Sequence, residues 1–217
     1  MYEYDFSISG VIKEGFKKSY GYKWMFFAAV FLYALLEIGL NLIFTFILTS
    51  DYQDMVGLLV LPFTLPMLTG IIILGINRVR EKPVNIKQIL DYYPLILTLL
   101  GAYFLVLLLT IIGFVLLVLP GIYLSVAYVF TLSLVADKGL GVWEAMELSR
   151  KTVTHRWWKF LGLSIAVTLI LIVSMIPLGI GLIWSVPMTY ITYGLMYHRL
   201  FDEEEETNEE ETTNHHA

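Results

Sequence analysis

The chain has no cysteine among its 217 residues. That excludes disulfide staples and thiolate chemistry, and it removes redox usage as a guide to compartment. Charge is scarce too, at 15% of residues, where a soluble domain of this size carries about 25%. The deficit is concentrated in long runs. From Tyr92 to Ala136 there are 45 residues without an Asp, Glu, Lys or Arg, and from Phe160 to Tyr197 there are 38. Catalytic signatures are missing as well. There is no HExxH, no GxSxG, no Walker loop and no Cys/His ligand cluster, so neither an enzyme nor a cofactor or metal site is expected. Nothing in the sequence supports nucleic-acid binding, and the pair His215-His216 is too isolated to read as a metal site.

What remains is strongly apolar, 58% hydrophobic. A spanning helix needs about 20 residues, so each uncharged run holds two helices and a tight turn. The expected fold is all-α and integral to a membrane. Six spans are paired into three hairpins, near 24–49, 56–79, 93–119, 122–136 and 157–175, with a turn marked by Pro177 and Gly179 before a sixth span that reaches about Leu200. No cleavable signal is expected, because the first apolar run is longer than a signal h-region. The net charge of −5 arises from eight acids between Asp202 and Glu211, and without them 14 basic residues face 11 acidic ones, a net of +3. The chain therefore divides into a membrane domain over 1–201 and an acidic tail over 202–217, expected to be disordered.

Three amphipathic interfacial helices are expected on the cytoplasmic face. The first is capped by Ser9 and lays Ile8, Ile12, Phe16 and Ser19 on one face, with Lys13, Glu14, Lys17 and Lys18 opposite. The second uses Ile86, Ile89, Leu90 and Tyr93, and Pro94 suits the first turn of the next span. The third runs over about 140–154, with Trp143, Met146 and Val153 on its apolar face and Glu147 four residues before Lys151. Pro120-Gly121 fits the centre of a type II turn.

Every one of the 14 Lys and Arg residues falls before the first span, in the two interfacial loops or at the end of the sixth span. By the positive-inside rule these segments and both termini are cytoplasmic. Tyr22, Trp24, Tyr92, Tyr93, Trp157 and Trp158 stand at the inner ends of spans, where aromatic anchors belong. Trp24 to Tyr92 is 68 residues and Tyr92 to Trp157 is 65, while Pro62, Pro120 and Pro177 are 58 and 57 apart. This spacing suggests a threefold repeat over about 8–80, 81–138 and 139–201.

Between Leu119 and Phe160 the chain carries Pro120-Gly121-Ile122, Phe130, Val135 to Asp137, Gly139-Leu140, Glu144-Ala145, Ser149 and Trp157-Trp158. In these features it resembles a bacterial inner-membrane superfamily that includes the YciC-like proteins and the membrane domain fused to some glycerophosphodiester phosphodiesterases. The resemblance implies a six-helix inner-membrane domain with no assigned activity. The phosphodiesterase chemistry belongs to a separate soluble domain, so no catalytic residue is carried over.

Two features bear on function. Tyr33, Glu37, Asn41, Thr45 and Thr49 follow at steps of four and set a polar stripe along the first span. Glu37 reads either as a proton or cation site of a small transporter or channel, or as a carboxyl bonded to Asn41 or a neighbouring helix. Hydroxyl residues of the fourth and sixth spans, among them Ser125, Tyr128, Thr189 and Tyr193, could bond the stripe or act as interhelical glue. Arg78, Arg80, Lys82, Arg150, Lys151, Arg156, Lys159 and Arg199, with His155 and His198, form an inner basic rim. That rim reads as an anionic-lipid surface or as plain topology signal. The leading expectation is a non-enzymatic protein with a structural or interaction role in envelope or lipid homeostasis. Its partners would be membrane lipids, a membrane protein or a second copy.

Overall fold

The computed structural model describes residues 6–48, 52 and 55–202, and among them it is helical without a strand. Nine α-helices follow in order: α1 (Ile8–Ser19), α2 (Lys23–Ile47), α3 (Val56–Val79), α4 (Ile96–Leu116), α5 (Val118–Ala127), α6 (Thr131–Lys138), α7 (Val142–Thr154), α8 (Trp157–Met175) and α9 (Leu182–Phe201). Five segments are long and apolar enough to cross a membrane: α2, α3, the stretch through α4, α5 with α6, and α8. The expected sixth, α9, has the length but not the apolarity, since Ser185, Thr189, Tyr190, Thr192, Tyr193 and Tyr197 interrupt it. The connection holding Thr49, Asp51 and Asp54, and the tail beyond Asp202, lie outside the described residues.

The chain divides into two compact units. One comprises Met1–Lys23, Gly75–Val84 and Trp158–Ala217, and the other Trp24–Leu74 and Asn85–Trp157.

In the first unit α9 is the buried element, with Met188, Ile191, Thr192, Leu195, Met196 and Tyr197 all enclosed. Glycine makes this possible. A Cβ on Gly194 would lie 2.7 Å from the backbone of Gly75, so only glycine lets the end of α3 approach α9 this closely. The helix α1 packs on α9 as well. Its cap is Ser7, whose hydroxyl accepts from the Gly10 N–H, and not the expected Ser9. Its buried residues are Val11, Gly15 and Ser19; of the expected Ile8–Ile12–Phe16–Ser19 face only Ser19 is among them, and Phe16 is 51% exposed. The reason is steric: a Cβ at Gly15 would strike the Thr192 hydroxyl and lie 3.3 Å from the Met188 carbonyl, so the bare glycine lets them rest there.

In the second unit the α4–α5 hairpin turns on Leu117, whose backbone is extended (φ −161°, ψ 143°). Pro120 and Gly121 are not the turn; they lie in the first turn of α5, where proline's missing N–H costs nothing. Gly113 and Gly121 face each other, a Cβ on Gly113 falling 3.0 Å from the Gly121 backbone, and the Phe114 ring covers Gly121. The fourth expected span is not continuous. It breaks at Tyr128–Phe130 into α5 and α6. The Ser149 hydroxyl of α7 enters the break, donating to the Ala127 carbonyl (2.8 Å) and accepting from the Phe130 N–H (3.3 Å). The α6–α7 corner uses Gly139 at φ +64°, a left-handed helix end suited to glycine. On α7 the buried residues are Ala145, Met146, Ser149 and Val153, while the expected Trp143 is 66% exposed.

The second interfacial helix is absent. Residues Ile86–Leu90 form a 3₁₀ turn closed by a reciprocal Asn85–Gln88 capping box, and Tyr93–Leu95 a second such turn with Pro94 inside. Of the expected apolar face only Ile89 is buried, and Leu90 is exposed. The four residues between Lys82 and Lys87 include Pro83 and no helical repeat long enough to nucleate a helix on its own.

Candidate functional site

Glu37 and Asn41 meet one turn apart on α2. The Asn41 amide donates to the Glu37 backbone carbonyl (2.7 Å) and to one carboxyl oxygen (3.3 Å). The other carboxyl oxygen, Oε2, is sealed from solvent and has no hydrogen-bond partner. Tyr33, one turn earlier, bonds to Thr64 of α3 and lies within electrostatic range of Glu37 and of Tyr103 of α4. Two positions of α2, Tyr33 and Asn41, and one each from α3 and α4, Thr64 and Tyr103, thus gather near one carboxyl. Thr45 does not join them; it is exposed, and Thr49 lies outside the described residues. A carboxyl oxygen enclosed in apolar surroundings without a donor is costly, which marks the position for attention.

The basic rim is largely engaged within the protein. Arg80 grips Asp202 with two parallel bonds, Nε to Oδ2 at 2.7 Å and a terminal nitrogen to Oδ1 at 2.6 Å. The same carboxylate contacts His198 Nδ1 at 2.6 Å. Burial pushes the Asp202 carboxyl up, but the bonds from Arg80 and His198 outweigh it and hold the group below its ordinary value. Arg199 pairs with Glu14 of α1. Arg78 donates to the Lys18 carbonyl (3.2 Å) and stacks over the Tyr22 ring at 4.2 Å. Lys159 donates to the Phe6 carbonyl (3.3 Å). On α7, Glu147 takes two bonds from Arg150 and one contact from Lys151 at 3.3 Å. The bond from Arg150 is the main reason its carboxyl sits below the usual range, and the same bond, with one to Tyr123, raises the Arg150 guanidinium. His155 and His198 each have a partner on their own helix, Lys151 O and Asp202. Lys82 is exposed.

One arrangement recurs at the same register on α3, on α5–α6 and on α9. Counted back from the terminal cations Arg78, Lys138 and Arg199, the position fifteen residues earlier is Phe63, Tyr123 or Trp184. Each meets the segment at the start of another helix, α4, α8 or α2. The Tyr93 hydroxyl donates to the Phe63 carbonyl (2.7 Å), the Trp157 indole donates to the Tyr123 carbonyl (3.2 Å), and the Lys23 ammonium lies 5.2 Å from the Trp184 ring. About two turns nearer the cation, an interfacial segment rests on the same helix. Ile89 lies on Gly70, Ser149 on the Ala127–Phe130 break, and Gly15 on Thr192.

Three groupings escaped the sequence: Ser149 with Ala127 and Phe130, Glu14 with Arg199, and Arg80 with Asp202. The four-residue step from His198 to Asp202 was available as a signal, but Asp202 reads more naturally as the start of the acidic tail. Comparison with protein-family models, curated proteins and solved structures finds no match for this chain.

Proposed function

We propose that the chain is a non-enzymatic integral protein of a bacterial inner membrane with a structural or interaction role in envelope or lipid homeostasis. In this reading it threads six times, with both termini cytoplasmic and α9 as the sixth span. The observation that carries it is the opposite treatment of different helices. The faces of α2, α4 and α8 leave Phe31, Leu42, Leu108, Ile112, Leu169 and Ile172 exposed, while α9 encloses Ser185, Thr192 and Tyr197. An exposed apolar face is stable against acyl chains, and a polar span is stable when neighbours cover it. The recurring contacts at Phe63, Tyr123 and Trp184 support three parallel repeats, the second with a shortened interfacial segment. The resemblance to the YciC-like superfamily agrees with this architecture. Headgroup contacts would fall to the exposed Lys13, Lys17 and Lys82, because most of the rim arginines have acceptors inside the protein. Gentle detergent extraction tests the proposal: a specific membrane protein or a retained anionic phospholipid is expected, and a lipid-free monomer with neither refutes it.

The sealed, unpartnered Glu37 oxygen favours one second reading, a small transporter or channel with Glu37 as a proton or cation site. Flux into proteoliposomes that disappears in Glu37→Gln supports it. Absence of flux under every imposed gradient removes it.

A further inference from the structure

The turn between α8 and α9 is apolar from end to end. Met175-Ile176-Pro177-Leu178-Gly179-Ile180-Gly181 contains no polar side chain, and Leu178 at its tip is 96% exposed. Leu178 also has φ +53°, a left-handed conformation in which water-exposed turns use Gly, Asn or Asp. A leucine there gains nothing from water.

The backbone points the same way. Ile176, Leu178, Gly179 and Ile180 donate their N–H groups to Val173, Ile176, Met175 and Pro177 carbonyls, at 2.9–3.2 Å. Pro177 has no N–H to satisfy. Leu182, Ile183 and Trp184 donate back into the same turn. From 176 to 184, Gly181 aside, every N–H has an acceptor between Val173 and Gly181. A turn in water has no need of this, whereas a turn in hydrocarbon does, because no solvent can take up a free N–H.

In the other unit the α4–α5 turn is built alike. Val115, Leu116, Leu117, Val118 and Leu119 are five consecutive exposed aliphatic residues, Val115 at 80% and Leu119 at 77%. The Leu117 N–H returns to Gly113 (3.0 Å), and Pro120 removes another donor. These residues continue the exposed apolar flank of α4 through Leu108, Ile111 and Ile112.

We infer that these two turns do not emerge into water on the far side of the membrane. Each is a lipid-inserted tip, covered by the acyl chains of the far leaflet. A protein partner fits less well, since neither tip offers an arginine or a hydrogen-bonding side chain by which a docking protein would recognise it. The inference rests on the membrane-spanning reading above.

The absence of native cysteine makes the test direct. Leu178→Cys, Leu117→Cys and, as the water-exposed control, Tyr52→Cys are made singly in the full chain. All three side chains are exposed, so the substitutions leave packing intact. In intact cells a membrane-impermeant maleimide should label Tyr52→Cys and label the two tip cysteines about tenfold more slowly or not at all. A bimane placed on each tip cysteine should be quenched in proteoliposomes of brominated phosphatidylcholine. Labelling of the tips at the control rate from outside overturns the inference. So does a tip that resists both maleimide and bromine, which would mean a protein cover. If Tyr52→Cys labels only from the cytoplasmic side, the threading itself fails.

Discussion

The Ser149 hydroxyl lies 2.8 Å from the Ala127 carbonyl oxygen, inside a break in the helix that α5 and α6 would otherwise form. It also accepts the Phe130 N–H, so one side chain satisfies both backbone groups freed by the break. Ser149 and Phe130 are both completely enclosed or nearly so. Replacing Ser149 by Ala should leave a buried donor and a buried acceptor unpaired and cost about 1–3 kcal/mol. The measurement is the thermal midpoint of the detergent-solubilised protein. Thr154→Ala, whose hydroxyl is exposed, is the control and should shift it far less.

Gly15 is where α1 rests on α9. A methyl group there would strike the Thr192 hydroxyl oxygen, while the next neighbours, Met188 O and Thr192 Cα, are 3.3 Å away. Gly15→Ala should therefore destabilise by about 1–3 kcal/mol. In a Thr192→Ala background the same change should cost clearly less, because the colliding atom is gone. The Thr192 hydroxyl has no partner to lose. A double-mutant cycle on unfolding midpoints measures the coupling; additive effects would mean the two residues do not meet.

Asp202 is held below its ordinary carboxyl value despite burial. Its contribution is present above the unfolded value of about 4 and is lost as pH falls through the lower folded value. Near neutral pH, Asp202→Asn should loosen the end of α9 from Arg80 by about 1–3 kcal/mol, since both side chains are only 14–15% exposed. Wild type and variant should begin to converge only below about pH 4 and meet as pH falls through the lower folded value of Asp202. Unfolding midpoints between pH 3 and 8 check both the loss and the convergence.

Glu37 keeps a sealed oxygen without a donor. Glu37→Leu removes that atom and should melt no lower than the wild type, or up to about 1 kcal/mol higher. A drop of several kcal/mol would show that the carboxyl holds the helices together. Measured beside the flux of Glu37→Gln, this separates a structural glutamate from a transport site.

Legibility differed by kind of feature. The ends of α8 matched the pattern of Trp157 and Met175, and α7 came within two residues of its expected start, because apolar periodicity and capping glycines are local. The turn at Leu117 was misread as Pro120-Gly121 because proline favours a turn and a first helical turn equally, and only the Gly113–Gly121 contact chooses between them. The face of α1 was misplaced because Gly15 carries no hydropathy signal, although its bareness decides the packing.

The sequence by itself determined that the chain is helical and apolar in segments long enough to cross a membrane, and that its cations are confined to a few stretches. Those properties depend on residue type and on spacing along one helix. Only the tertiary structure decided that Ser149 mends a broken helix, that Arg80 takes Asp202 from the acidic run, and that Gly15 carries α1 onto α9. Each of these joins residues 19 to 177 positions apart, and what selects the partner is shape and an unpaired backbone or charged group, neither of which is written in local composition.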